Sequence, residues 1–135
     1  MQAFDPRPVR TAAFQALVFL AGPGSFEGAQ LLAARADVAP LAPLLPASTH
    51  AVLQLVGGFL TLIFAFLAHG VPHLLGLDLG RSARARFAIR AIGALLVVDI
   101  AGELAASSAL VLGARVLLVV AALAYLTLLG AARLP

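Results

Sequence analysis

The chain has 135 residues, of which 62% are hydrophobic and 11% are charged, and its mean hydropathy is +1.05. A soluble domain of this length needs more polar surface than this composition supplies, so the composition indicates a membrane protein. The absence of cysteine excludes disulfides, thiolate metal sites and iron–sulfur clusters, and a net charge of +3 with arginines beside apolar runs favours membrane topology over a nucleic-acid partner.

The first apolar stretch runs from about Val9 to Ala21 and, at roughly 18 Å if helical, is too short to cross a bilayer. It becomes long enough if the helix continues past the Gly22-Pro23-Gly24 motif to Leu32 or beyond, with a kink near mid-membrane. The alternative is a half-helix, a short loop and a second, interfacial helix from Phe26 to Arg35. We favour one long, kinked helix.

Prolines at positions 40, 43 and 46 prevent a regular helix and predict an extended connector. The second span is predicted at about 47–68, where Ser48 and Thr49 supply capping side chains. A polar, arginine-rich loop follows, with Ser82 as a candidate cap. The third span is predicted at about 85–106 and the fourth from there to about 132, which makes residues 1–135 a single domain of four transmembrane helices.

Arginine placement predicts the orientation, because an even number of spans puts both termini and the central loop on one side. That side holds Arg7, Arg10, Arg81, Arg84, Arg86, Arg90 and Arg133. The other side holds only Arg35 and Arg115. The positive-inside rule therefore predicts a multi-pass protein of the cytoplasmic membrane with both termini in the cytoplasm.

Histidines flank the second span, since His50 and His69 are separated by an uncharged run. Their separation along a helix is roughly 28 Å, close to the ~30 Å thickness of the hydrocarbon core, so they cannot share one metal. His69 and His73 are one turn apart, but Gly70 and Pro72 between them argue against a paired metal face. A histidine at either end also fits a simple position in the headgroup region.

The third span contains two acids, Asp99 and Glu103, which lie one turn apart on one helix face. A charged side chain near the bilayer centre costs about 2.5–3.5 kcal/mol on insertion scales, so such residues usually face protein or water and often mark a site. Their expected depth matches that of His50 and Gln54. A pocket of these four residues between the second and third spans is therefore predicted, with the acids as a proton relay or intramembrane contact.

Glycines within the predicted spans favour close helix packing, because small residues let membrane helices approach one another. The residues assigned this role are Gly57, Gly58, Gly93 and Gly102.

The run HAVLQLVGGFLTLIFAFLAHGVPHLLG resembles the histidine-containing helix of the NnrS family and of the related main subunit of haem-copper oxidases. His50, Gly57, Phe59 and Pro72 fall at matching positions. The run AIGALLVVDIAGELAA resembles the helix that follows it in that family. Gly93, Asp99 and Glu103 are the counterparts there.

The resemblance covers about residues 48–130 and implies one four-helix repeat of a twelve-helix body, so three copies of this chain are expected to rebuild that body as a homotrimer. It also implies a haem- or copper-binding membrane protein with His50 as the metal ligand and Glu103 or Asp99 as its hydrogen-bonding or proton-relay partner. Gln54, at the same depth, is predicted to lie beside the cofactor. Two departures limit what is carried over: Val52 stands where the family has its second histidine, and the chain has four predicted spans rather than twelve.

Two other functions remain open from the residues alone. One is a cofactor-free structural or accessory membrane protein, and the other is a small-solute or proton pathway lined by Asp99 and Glu103. No catalytic residue is predicted, and the expected partners are the lipid bilayer and further copies of the chain.

Overall fold

The computed structural model describes residues 6–36, 45–70 and 82–130, and every regular element in these ranges is helical. The α-helices are α1 (Arg7–Phe19), α2 (Ser25–Arg35), α3 (Ala47–Val52), α4 (Thr61–Ala65), α5 (Ser82–Leu104) and α6 (Ser108–Gly130). Wider π-helical turns occur at Leu20–Gly24, Leu53–Leu60 and Phe66–Gly70. These helices form four helical segments, 7–35, 47–70, 82–104 and 108–130, numbered first to fourth below.

The prediction of an all-helical chain with membrane-spanning helices is confirmed at the level of length and composition. Within the described ranges, Arg7–Arg35, Ala47–Ala65 and Ser108–Thr127 are long and apolar enough to cross a membrane. The third segment has 23 residues, which is also long enough, but Arg90, Asp99 and Glu103 interrupt its apolar part.

The first segment bends between α1 and α2. Gly22 has non-helical backbone angles (φ −83°, ψ −112°), and Pro23 follows it inside the helical run. Proline has no N–H to donate and its ring crowds the preceding turn, so the regular α-helical ladder cannot pass through this point. The helix is therefore broken at Gly22, and regular α-helix resumes at Ser25.

Two clusters of apolar side chains form the interior where the segments meet. One contains Ala12, Phe64, Ala65, Ala85, Ile89 and Tyr125. The other contains Phe19, Leu45, Leu53, Ile92, Leu96 and Leu118. Tyr125 reaches across to the second segment, where its hydroxyl donates to the Phe64 carbonyl oxygen at 3.3 Å.

Large apolar side chains also cover the outside of the bundle. Phe14, Phe87 and Leu112 are 71%, 75% and 67% exposed. An apolar surface of this extent is costly in water and suits lipid or another membrane helix.

Candidate functional site

A tight hairpin joins the third and fourth segments and positions the charged residues of both. The amide of Ser107 donates to the Gly102 carbonyl oxygen at 2.8 Å, and the amide of Ala106 donates to the Glu103 carbonyl oxygen at 3.0 Å. Ala106 has φ +50°, so the helix ends in a Schellman turn with alanine in the left-handed position that glycine usually occupies. This reversal lays the fourth segment directly against the third.

Arg115 lies in the fourth segment opposite the two acids of the third. Its Nε donates to Asp99 Oδ1 at 2.9 Å, and its Nη2 donates to Glu103 Oε1 at 2.9 Å. Nη2 also donates to Thr49 Oγ1 at 2.8 Å, and that hydroxyl donates in turn to Glu103 Oε1 at 2.8 Å. These four residues, from three segments, are called the Arg115 centre below.

The Arg115 centre is largely buried. Asp99 and Thr49 are fully buried, whereas the side chains of Glu103 and Arg115 are 18% and 32% exposed. Asp99 lies roughly 8 Å along the helix from the end of the third segment, and Arg115 roughly 10 Å from the start of the fourth. The ion pairs therefore lie inside the bundle rather than in the loop.

The formal charges of the centre do not cancel, because two carboxylates share one guanidinium. Asp99 Oδ2 is buried and has no hydrogen-bond partner among the described residues. A buried carboxylate is tolerated when a cation and hydrogen bonds compensate it, and Arg115 supplies most of that compensation here. The centre is thus held together mainly by one cationic side chain.

A second buried polar group lies on α2 at the same end of the bundle. Glu27 and Gln30 are only 3% and 5% exposed, and Glu27 Oε2 accepts a hydrogen bond from the Leu45 amide at 3.2 Å. This bond ties the end of the first segment to the residues that precede the second. Residues of all four segments therefore take part in polar contacts at this end.

His50 and Gln54 face α2 and the bend rather than the acids. A Cβ atom added to Gly28 would lie 3.0 Å from His50 Cε1, and one added to Gly24 would lie 3.2 Å from Gln54 Cγ. Gly24 and Gly28 are one helical turn apart, as are His50 and Gln54, so the two larger side chains pack on a stripe left open by the two glycines. His50 Nδ1 is buried and has no partner in the part of the chain that the structure describes.

The predicted four-residue pocket is therefore divided between two faces of the second segment. Asp99 and Glu103 meet at Arg115, and the second segment meets them through Thr49. His50 is the next residue along and points about 100° away around the helix axis, toward the first segment. His73 and the side chain of His69 lie outside what the structure describes.

The four glycines assigned to packing lie at close contacts in the structure. A Cβ atom on Gly57 would come within 2.8 Å of Phe19 and 3.0 Å of Leu96, and one on Gly102 within 3.0 Å of Val111. Gly58 packs against Leu20, and Gly93 packs against Gln15. At each of these glycines, a side chain of another segment occupies the space that a larger residue would need.

Sequence reasoning missed Arg115 and Thr49 as members of the site. The sequence pattern predicts only that Arg115 lies on the side with fewer arginines and that Thr49 caps a helix. The sequence does contain a feature that indicates this pairing. Arg115 follows an uncharged run within the predicted fourth span, and two acids precede the short turn before it. An arginine at that depth needs a carboxylate partner.

Among the described residues, no group of three or more histidine, cysteine, aspartate or glutamate side chains is arranged to hold a metal ion. Comparisons with protein-family models, with curated proteins and with solved structures find no match to the chain.

Proposed function

We propose that this chain is a structural or accessory protein of the cytoplasmic membrane, with four spans whose assembly depends on the Arg115 centre. The observation that supports the proposal is that one guanidinium bonds to Thr49 in the second segment and to Asp99 and Glu103 in the third. A single side chain of the fourth segment thereby joins three segments. In lipid, where no water replaces a lost partner, such a contact controls whether the helices stay together.

The same contact supports membrane insertion of the third segment, in addition to the other three. Its two acids would oppose insertion if they faced lipid, but both bond to Arg115 inside the bundle. The third segment carries Arg84, Arg86 and Arg90 near its start and no further arginine, which supports an orientation with both termini in the cytoplasm.

We also propose that the assembled form is a homotrimer, a twelve-helix body built from three copies. Two features support it: the resemblance to one repeat of the NnrS and haem-copper oxidase fold, and the extensive apolar surface of the single chain. Closed cyclic symmetry would cover part of that surface without leaving an open face.

The test is the mass of the purified protein in detergent and in lipid nanodiscs, measured by light scattering. Wild type is expected at three copies. Arg115→Gln is expected to aggregate, because two carboxylates are left without their cation and the helical segments of one chain no longer hold together. Arg35→Gln, which alters an exposed arginine at the end of α2, is the matched control. An Arg115→Gln protein with wild-type mass and wild-type stability would overturn the structural role.

A second candidate function is haem or copper binding at His50, as in the family that the sequence resembles. It is favoured by one observation, the buried and unpartnered Nδ1 of His50. An imidazole nitrogen is a common ligand of haem iron and copper, and Gln54 lies one turn further along the same helix face. His50 would be the one protein ligand from this helix, since Val52 stands where the family has its second histidine.

An absorption spectrum of protein from haem-supplemented cells tests this candidate, together with metal analysis for copper. A Soret band or a copper content that disappears in His50→Ala and persists in His73→Ala would support it. A featureless spectrum and copper at background in the wild type would exclude it and leave the structural role.

A third candidate function is a proton pathway lined by Asp99 and Glu103. Proton flux into vesicles that contain the protein distinguishes it from the structural role. A proton flux in wild-type vesicles that Asp99→Asn abolishes without changing the trimer mass would favour the pathway. Loss of assembly without any wild-type flux would favour the structural role.

A further inference from the structure

A groove of about 770 Å³ lies between α1 and α5, away from the Arg115 centre. Its lining includes two arginines, Arg10 and Arg90, and no acidic residue. Both arginines are exposed, and neither has an ion-pair partner among the described residues. The groove therefore presents two uncompensated positive charges.

The groove is polar at one end and apolar at the other because α1 and α5 run in the same direction. Gln15 packs on Gly93, and one turn further along Phe19 and Leu96 both contact Gly57, which shows that residue numbers rise together on the two helices. Arg10 and Arg90 consequently lie at one level. Phe14, Val18 and Val97 lie beyond them and are 71%, 45% and 58% exposed.

A long uncharged run follows each of the two arginines. After Arg10 the next charged residue is Glu27, and after Arg90 it is Asp99. The arginine-rich side is the cytoplasmic one by the positive-inside rule. The basic end of the groove thus faces the inner headgroup region, and its apolar end faces the acyl chains.

Gln15 supplies a polar group between the two ends. Its side-chain oxygen lies against Gly93, where any larger residue would displace it, and its Nε2 is buried with no partner among the described residues. A buried amide N–H without an acceptor is costly, so an acceptor supplied from outside the chain would be favourable. In a bilayer the glycerol ester carbonyls lie just below the phosphates, as Gln15 lies just beyond Arg10 along α1.

We propose that this groove binds an anionic phospholipid of the inner leaflet. Arg10 and Arg90 hold the phosphate, Gln15 Nε2 donates to an ester carbonyl, and an acyl chain lies along Phe14, Val18 and Val97. Guanidinium groups suit phosphate because they bond it in a bidentate manner, and basic pockets between membrane helices on the cytoplasmic side are typical of anionic lipid recognition. The inference rests on the proposed membrane insertion and orientation but does not depend on the role of the Arg115 centre.

The test is native mass spectrometry of the full-length protein from nanodiscs containing equal amounts of phosphatidylglycerol and phosphatidylcholine with identical acyl chains. Wild type is expected to retain phosphatidylglycerol. Each arginine near the surface contributes roughly 5-fold to the preference for anionic lipid, so the pair should give about 25-fold over phosphatidylcholine. Arg10→Gln/Arg90→Gln should remove the preference, whereas Arg35→Gln should keep it.

A second variant, Arg10→Lys/Arg90→Lys, shows whether the loss of preference in the glutamine variant comes from lost charge or from misfolding. It keeps both charges and should retain most of the preference. Equal retention of the two lipids by wild type, or an unchanged preference in the folded glutamine double variant, would overturn the proposal. A change of oligomeric mass in lipid-free detergent caused by the glutamine double variant would also overturn it, by assigning the groove to a second copy of the chain.

Discussion

Arg115 and Asp99 lie on opposite arms of one helical hairpin, and the 2.9 Å bond from Nε to Oδ1 joins a partly exposed cation to a fully buried carboxylate. The remaining carboxylate oxygen of Asp99 has no partner among the described residues. Asp99 therefore depends on Arg115 more than Arg115 depends on Asp99, since the guanidinium also bonds to Glu103 and Thr49. Substitutions of Arg115 and Asp99 should therefore differ in their effect on stability.

Arg115→Gln should destabilise the protein by about 3 kcal/mol or more, because it leaves a buried carboxylate without its cation. Asp99→Asn should cost less, about 1 kcal/mol, because Arg115 and Glu103 still form a neutral pair. The double variant Asp99→Asn/Arg115→Gln should be more stable than the sum of the two single effects predicts, with a coupling of about 1–3 kcal/mol.

Unfolding in mixed micelles, followed by circular dichroism, measures these differences, with Arg35→Gln as the control. Strict additivity of the two single variants would show that the pair carries no coupling and that the residues act independently.

Thr49 is the contact of the second segment with the centre, since its hydroxyl accepts from Arg115 and donates to Glu103, both at 2.8 Å. Thr49→Val keeps the shape and removes both bonds, so it should cost about 1–2 kcal/mol in the free energy of unfolding. Ser48→Ala is the matched control, because Ser48 is exposed and its replacement should change stability by less than about 0.5 kcal/mol. Equal effects of the two substitutions would contradict the role given to Thr49.

The helical architecture could be predicted from the sequence because it rests on local features. Apolar run length and proline positions suffice to place the helical segments, and the bend at Gly22 lies in the motif expected to interrupt the first one. The sequence also places Asp99 and Glu103 on one face through their i, i+4 spacing. In the structure these two acids bond the same guanidinium.

The composition of the site could not be predicted, because it depends on the rotation of each helix about its own axis. Thr49 and His50 are adjacent in sequence, yet one meets Glu103 and the other meets Gly28. A rotation of one residue would exchange them. The three-residue turn after Leu104 sets which residue of the fourth segment faces the acids, and nothing in an apolar run specifies that register.

Gly57 is expected to be intolerant of a side chain. Its Cβ atom would lie 2.8 Å from the Phe19 ring and 3.0 Å from Leu96, so Gly57→Ala should separate three segments and cost about 1–3 kcal/mol. Gly113→Ala is the matched control in the fourth segment, because nothing lies within 4 Å of the added methyl group. There alanine should be neutral or stabilising by up to about 1 kcal/mol. Thermal unfolding in detergent compares the two, and a destabilised Gly113→Ala with an unaffected Gly57→Ala would contradict the packing described.

Ala106 offers the opposite kind of substitution, one in which glycine should stabilise the protein. Its φ of +50° lies in the left-handed region, which costs an alanine about 1–2 kcal/mol and costs glycine almost nothing. The turn itself is held by the Ser107 and Ala106 amides, which glycine leaves in place. Ala106→Gly should therefore raise the free energy of unfolding by about 0.5–1 kcal/mol, after allowance for the greater freedom of glycine in the unfolded chain.

Ala105→Gly, one residue earlier and without a positive φ, should lower stability instead. If both glycine variants lower the unfolding temperature, the left-handed conformation of Ala106 is wrong; opposite signs would support the hairpin geometry that sets Arg115 against Asp99.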